Sequence, residues 1–266
     1  MSSPIILFGY VMALVMGLIL GLIGAGGSIL TLPILVYLLS VPPKLATSYS
    51  LCIVGITALI GSLTYWKKGN VFFKEAIIFS MPAMFTTWIT RSLILPSLPN
   101  SIGIFTTDTI IMLFFSGLMI TSASIMLLSQ TKSTPYTSKL MSPKQWSKLI
   151  FGSLCVGMIT GFVGAGGGFL IFPSLIYFYG FSTKQAIGTS LTVITLNALL
   201  GFISDLSIGL VINWNLLILF MVMTILGVTV GALLSEKISE VKLKRFFAGF
   251  TLILGCIILT HELNLF

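Results

Sequence analysis

The chain has 266 residues, 56% of them hydrophobic and only 8% charged, with a mean hydropathy of +1.12. Soluble domains carry roughly 25% charged residues, and a water-soluble fold of this length has too little interior to hide so much apolar side chain. The formal net charge of +8 does not read as a nucleic-acid footprint, because the bases stand in short clusters between apolar runs, where cytoplasmic loops of a multi-pass membrane protein carry them.

In chain order, apolar segments cover 4–23, 28–39, 45–66, 72–95 and 102–128, then 149–163, 169–179, 186–203, 214–234 and 246–260. Most approach the roughly 20 residues a spanning helix needs, but the second segment of each set is far shorter. The first segment lacks a basic leader and is too long for a signal peptide's apolar core, so it reads as a retained span. Cys52, Cys155 and Cys256 lie inside apolar runs without CxxC spacing, and read as small buried residues. His261 is the one histidine, and neither GxSG nor HExxH occurs. An intramembrane enzyme would need a nucleophile with a general base, and the chain offers little material for one. No organic cofactor and no metal is implied.

The two sets of five segments are copies. Residues 21–61 align without a gap on 161–201, at an offset of 140. Gly21, Gly24, Ala25, Gly26, Gly27, Pro33, Tyr37, Lys44, Ala46, Ser50, Leu51 and Gly61 meet identical residues there. Shared apolar composition would not match Gly, Pro, Lys and Ser together. A first repeat over 1–129, a basic linker over 130–147 and a second repeat over 148–266 follow.

Charge placement suggests orientation. Lys67, Lys68 and Lys74 follow the third segment of the first half, where the second half has Asp205; Lys237, Lys242, Lys244 and Arg245 follow the fourth segment of the second half, where the first has no base. Equivalent loops thus favour opposite sides of the membrane. The expectation is an all-α membrane protein of two inverted-topology repeats, linker cytoplasmic and both termini outside, with Arg91 and Lys44 on the disfavoured side.

Each short segment opens at a glycine cluster: Gly24, Ala25, Gly26, Gly27 and Ser28, then Gly164, Ala165, Gly166, Gly167 and Gly168. A helix that starts inside a membrane has backbone N–H groups without partners, glycine lets a ligand approach them, and the helix dipole favours an anion. Small residues also serve close helix packing; here the cluster is duplicated and interrupts a helix each time. Ser50 and Thr57 in the first half, and Ser190 and Asn197 in the second, stand seven residues apart on one helical face each, and Thr189 adjoins Ser190. They are candidates to complete an anion's shell, with interhelical hydrogen bonding as the other reading. Arg91, opposite Gly231 in the alignment, is a further candidate, although its place just before Pro96 equally suits snorkelling to the interface. Asp108 and Asp205 sit near segment ends and read as interfacial anchors, with proton relay as the other reading.

At GLIGAGGSILTLP, GFVGAGGGFLIFP and AIGTSL the sequence resembles the sulfite exporter TauE/SafE family of membrane transporters. The resemblance covers essentially the whole chain. It implies transport of small sulfur-containing anions such as sulfite, thiosulfate or sulfoacetate-like sulfonates across a prokaryotic plasma membrane, with the family's motifs falling on Gly24, Gly26, Gly27, Gly164, Gly166, Gly167 and Gly168 and on Gly188, Thr189, Ser190 and Leu191. Ser28 departs from the full triple glycine, and TSYSL stands where the second half has IGTSL. The reading is a secondary transporter working by alternating access with the anion held between two glycine-lined helix starts; an anion channel using the same site fits the same residues. Assembly with further copies of the chain is open.

Overall fold

The computed structural model describes residues 3–24, 26–99, 101–102, 105–128, 143–164, 166–207, 209, 212–235 and 237–263. Ala25, Ala165 and most of the expected linker lie outside them. The described residues are helical apart from short turns and a two-residue antiparallel ladder, Ser101–Ile102 against Phe105–Thr106.

In the first half α1 is Ser3–Ile23, α2 is Gly26–Pro33 continued by a wider π-helical turn over Ile34–Leu38, and α3 is Pro43–Lys67. α4 runs Phe73–Ile89 and continues through a π-helical turn, Thr90–Ile94, into Leu95–Ser97; α5 is Thr107–Leu128. The second half repeats the order as α6 (Pro143–Val163), α7 (Gly168–Tyr179), α8 (Thr183–Ser207), α9 (Trp214–Leu234) and α10 (Glu240–Leu263). The sequence reading finds all ten and trims their polar ends: α6 starts at Pro143 rather than 149, and α10 at Glu240 rather than 246. Their opening turns carry Lys148, Lys242 and Arg245, which hydropathy leaves out although a helix end at the membrane surface accepts them.

The π-helical turn of α4 has a local cause. Pro96 has no N–H to give the carbonyl four residues back, and its ring crowds that carbonyl. The register slips by one, so that Leu95 N–H bonds Thr90 O. That wider turn carries Arg91, which is fully buried.

Contacts between the halves fix how the helices run. On α3 and α8, Leu51 meets Gly201, Gly55 meets Leu199, Gly61 meets Leu191, and Tyr65 meets Gly188, so these two equivalent helices are antiparallel. They are the most buried spans, and the other contacts obey exchange of the halves: α1 packs on α9 as α6 packs on α4, and α5 packs on α10. α1 and α9 approach through Gly17, Gly21, Gly227 and Gly231, where an added Cβ would strike backbone of the facing helix. Those four glycines do the packing work that small residues do in membranes. Thr87, which replaces Gly227 in the other copy, is still accommodated, its hydroxyl donating to Gly157 O at 2.9 Å.

One end of the bundle holds Ser3 and Leu263, and is called the terminal end; the other holds Leu128 and Pro143, and is called the linker end. α3 starts at the terminal end, where Lys44 N donates to Asp108 Oδ1 and Asn213 N to Tyr49 Oη. It finishes at the linker end, where Lys68 Nζ donates to Ala232 O. α1 runs alongside α9 and delivers Gly24 to the linker end, against Ile187, yet α3 begins at the terminal end. The short α2 therefore carries the chain back across the bundle instead of returning it to the side it came from.

Among the described residues, six helices are long and apolar enough to cross a membrane: Pro43–Lys67, Phe73–Ser97, Thr107–Leu128, Trp146–Val163, Thr183–Ser207 and Trp214–Leu234. Shorter apolar stretches add Phe8–Ile23, Ile29–Leu38, Gly168–Tyr179 and Ala248–Leu263. The outer helices turn Met81, Phe85, Phe151, Val222 and Ile253 outward, a surface suited to hydrocarbon. The chain is a multi-pass helical membrane protein.

Candidate functional site

The two glycine clusters fold differently. In the first, Gly24 closes α1 by donating to Leu20 O at 2.7 Å, adopts φ +72°, and α2 is helical from Gly26. In the second, Gly164 donates to Thr160 O at 2.9 Å, and Gly164, Gly166 and Gly167 take φ of +70°, +66° and +68° before α7 begins at Gly168. Only glycine adopts that backbone freely. The glycine standing where the first copy has Ser28 thus accompanies a non-helical turn two residues longer.

Around the second turn the neighbours are polar at two of three positions. A Cβ on Gly164 would lie 2.5 Å from Arg91 Nη2 and would strike Thr47; one on Gly167 would strike Thr160 Oγ1. Gly166 meets Val54 Cγ1 and Ile194 Cγ2, at 2.8 and 3.2 Å from such a Cβ. Val54 and Ile194 are equivalent residues of the two copies near the middle of α3 and α8, so this turn descends from the terminal end to the centre of the bundle. Gly24 instead lies against Ile187 at the linker end. The outer ends of the two turns are therefore about 27 Å apart along α3, from Thr47 to Tyr65 at 1.5 Å per residue. The short helices α2 and α7 that follow them do touch.

Arg91 supplies the strongest electrostatic feature. Its Nη1 donates to Asp205 Oδ2 at 2.8 Å and to Ser48 Oγ at 3.2 Å. Its Nε and Nη2 have no hydrogen-bond partner among the described residues. Neither Arg91 nor Asp205 behaves as an interfacial residue, since both are buried and paired with each other. Two opposite charges, Arg91 inside one apolar segment and Asp205 just past the end of another, were the available signal, because buried charges in membrane proteins pair; neither spacing nor the alignment of the copies says which charge meets which.

The remaining polar candidates divide. Ser190 Oγ donates to Ile187 O at 2.9 Å and to Gly24 O at 3.2 Å, Thr189 Oγ1 accepts from Phe72 N at 3.2 Å, and Thr57 and Thr224 hydroxyls share a 2.7 Å bond. These three groups are occupied by interhelical or local bonds. Ser50 Oγ and both amide atoms of Asn197 are buried with no partner among the described residues, as are Ser80, Thr160, Ser204 and Thr251. Most other helical Ser and Thr here bond a carbonyl one turn back, as Thr64, Ser92, Thr195 and Ser207 do. Thr251 stands apart on α10. The other unpartnered groups lie on α3, α4, α6 and α8, the helices around the second turn.

A family model, Sulfite exporter TauE/SafE, matches residues 10–258. The chain belongs to the TauE/SafE family. Its similar proteins include a probable membrane transporter protein of Xylella fastidiosa strain Temecula1, 30% identical over 237 residues that cover 87% of this chain and 86% of that one. The probable membrane transporter protein YunE of Bacillus subtilis is 27% identical over 279 residues, covering 93% and 96%. A Haemophilus influenzae probable membrane transporter protein is 28% identical over 258 residues, covering 90% and 92%. No solved structure matches the chain. As a TauE/SafE member the protein is a membrane transporter rather than an enzyme, and both glycine turns fall inside the matched region.

Proposed function

We propose that this TauE/SafE transporter is a secondary carrier of small sulfur oxyanions or organosulfonates, working by alternating access. The anion binds where the start of α7, at Gly164, Gly166, Gly167 and Gly168, meets the Arg91 guanidinium, and passes the start of α2 at Gly24, Gly26 and Gly27. Ser50 and Asn197 complete its shell. The observation that carries this reading is the open edge of Arg91: Nε and Nη2 form the side-on fork that matches two oxygens of an oxyanion, and both are unpartnered. In a low-dielectric interior, donors that find no protein acceptor are costly unless a ligand or water takes them. The family's name supports a sulfur oxyanion.

The two halves serve as inverted repeats in the plasma membrane of a prokaryote. The antiparallel course of α3 and α8 supports this. So does the charge distribution: Lys67, Lys68, Lys74, Lys148, Lys184, Lys237, Lys242 and Arg245 all belong to the linker end. The positive-inside rule puts that end in the cytoplasm and both termini outside. Arg91 is consumed by its ion pair, which leaves Lys44 as the cation on the disfavoured side.

The test is counterflow in liposomes of purified protein, using sulfite, thiosulfate, sulfoacetate, sulfate and chloride. Saturable uptake of a sulfur oxyanion is expected in the wild type and lost in Gly166→Val, whose side chain collides with Val54, while the variant remains inserted. Wild-type flux in Gly166→Val, or no anion moved by the wild type, overturns the reading.

A further inference from the structure

From the arrangement around Arg91 we infer that transport is coupled to protons, with Asp205 as the carrier of the proton; this rests on the anion-binding reading above. Arg91 offers its charge on two sides. Nη1 faces Asp205, and the Nε and Nη2 edge stays open beside Gly164. With the anion absent, one guanidinium cancels one carboxylate and the site is neutral. A singly charged anion on the open edge places two negative charges on one cation in a buried site, where an uncompensated charge is strongly unfavourable. A proton added to the Asp205 carboxylate restores neutrality. The step forms one O–H bond, breaks no covalent bond, leaves Arg91 cationic, and takes the proton from water at the terminal end. When the anion leaves, the carboxyl releases its proton and the pair with Nη1 closes again.

Coupling requires that the proton travel with the anion rather than return, and a second observation supplies a path. Gly201 of α8 meets Thr87 of α4, and Asp205 meets Arg91 one turn further toward the terminal end. On the same faces, Ser204 lies beside Asp205, while Asn197 and Ser80 lie about two and three turns deeper toward the linker end than the ion pair. All three are buried without a partner among the described residues. Buried polar groups of this kind are normally bridged by water, and a file of such waters between α4 and α8 is the route proposed for the proton.

Other charged groups do not take this role from Asp205. Arg91 is the ionisable side chain that touches it. α3 brings Lys44 and Tyr49 to the same end, with Tyr49 Oη accepting from Asn213 N. α10 brings His261 and Glu262, which are held on Tyr37 of α2 by a ring contact with centroids 4.9 Å apart and a 2.6 Å hydrogen bond. Among the described residues, α6 and α7 place no ionisable side chain at this end.

The probes are methanesulfonate and ethanesulfonate, monoanions that stay fully ionised from mildly acidic to alkaline pH, so that any response to pH belongs to the protein. Wild-type liposomes carrying an internal pH dye should take up either anion faster under an inward proton gradient, with acidification of the lumen that depends on the anion. In Asp205→Asn protein that remains inserted, both the acceleration and the acidification should be lost, whatever anion exchange it retains. Where Asp205→Asn, which leaves the buried Arg91 charge unpaired, fails to fold, the wild-type dye signal decides without it. Net anion uptake by the wild type with no lumen acidification, uptake driven by sodium instead, or a proton response kept by Asp205→Asn would each overturn the coupling while leaving the anion site standing. Absence of any counterflow removes the site and the coupling together.

Discussion

The two halves align without a gap from 21–61 to 161–201, yet they treat buried polarity in opposite ways. In the first, the surroundings of the glycine turn are satisfied: Ser190 bonds Gly24 O, Tyr65 Oη bonds Gly21 O at 2.9 Å, and Thr57 bonds Thr224. In the second, the equivalent places hold Ser50, Asp205 and Asn197, and where the first has Gly231 the second has Arg91. Ser50 and Asn197 have no partner among the described residues, and Arg91 keeps an open edge. One duplicated framework thus yields a closed structural joint at the linker end and a charged, incompletely paired site at the terminal end. The difference teaches that duplication supplies backbone, while a few replaced side chains supply chemistry.

Breaking the ion pair should have the largest effect. Arg91→Met leaves Asp205 buried without its cation, a loss of about 3–5 kcal/mol, read as a lower unfolding midpoint in detergent together with absent uptake. The double variant Arg91→Met, Asp205→Leu should recover stability without recovering uptake. Uptake in the double variant would show that the pair only holds helices together.

A smaller effect separates the two turns. Alanine at Gly24 or at Gly164 is strained by a left-handed backbone, about 1–2 kcal/mol at each, and its Cβ also strikes the facing helix, at Ile187 in one case and Thr47 in the other, so both thermal midpoints should fall by more than the strain alone. Only Gly164→Ala pushes on Arg91 Nη2, and only it should raise the anion concentration giving half-maximal uptake. Equal transport defects would mean that both turns hold substrate. Asn197→Leu comes next: it removes an unpartnered buried amide, so folding should be nearly unaffected while proton-driven uptake slows. The smallest effect belongs to Thr224→Val in the satisfied half, about 1 kcal/mol of stability with wild-type uptake.

Much of this was legible in the sequence. Hydropathy and the 140-residue offset give ten helices in two copies, because apolar length and repeated Gly and Pro positions are local properties. The glycine turns were legible for the same reason. The pairing of Arg91 with Asp205 was not, since it depends on α4 and α8 meeting 114 residues apart in the chain. The slip that aims Arg91 inward arises from Pro96, whose presence is visible but whose outcome depends on neighbouring packing. Ser190 and Thr189 looked as available as Ser50; what separates them is which carbonyls and amides the other copy brings near.

The most direct measurement is the position of a bound anion in a crystal of the protein grown with selenite, a heavier analogue of sulfite that anomalous scattering locates. A peak within hydrogen-bond reach of Arg91 Nε and Nη2, beside Gly164, is the predicted result. A peak beside Gly24 and Ile187 instead, with the open edge of Arg91 unoccupied, would contradict the assignment of the anion to the second turn.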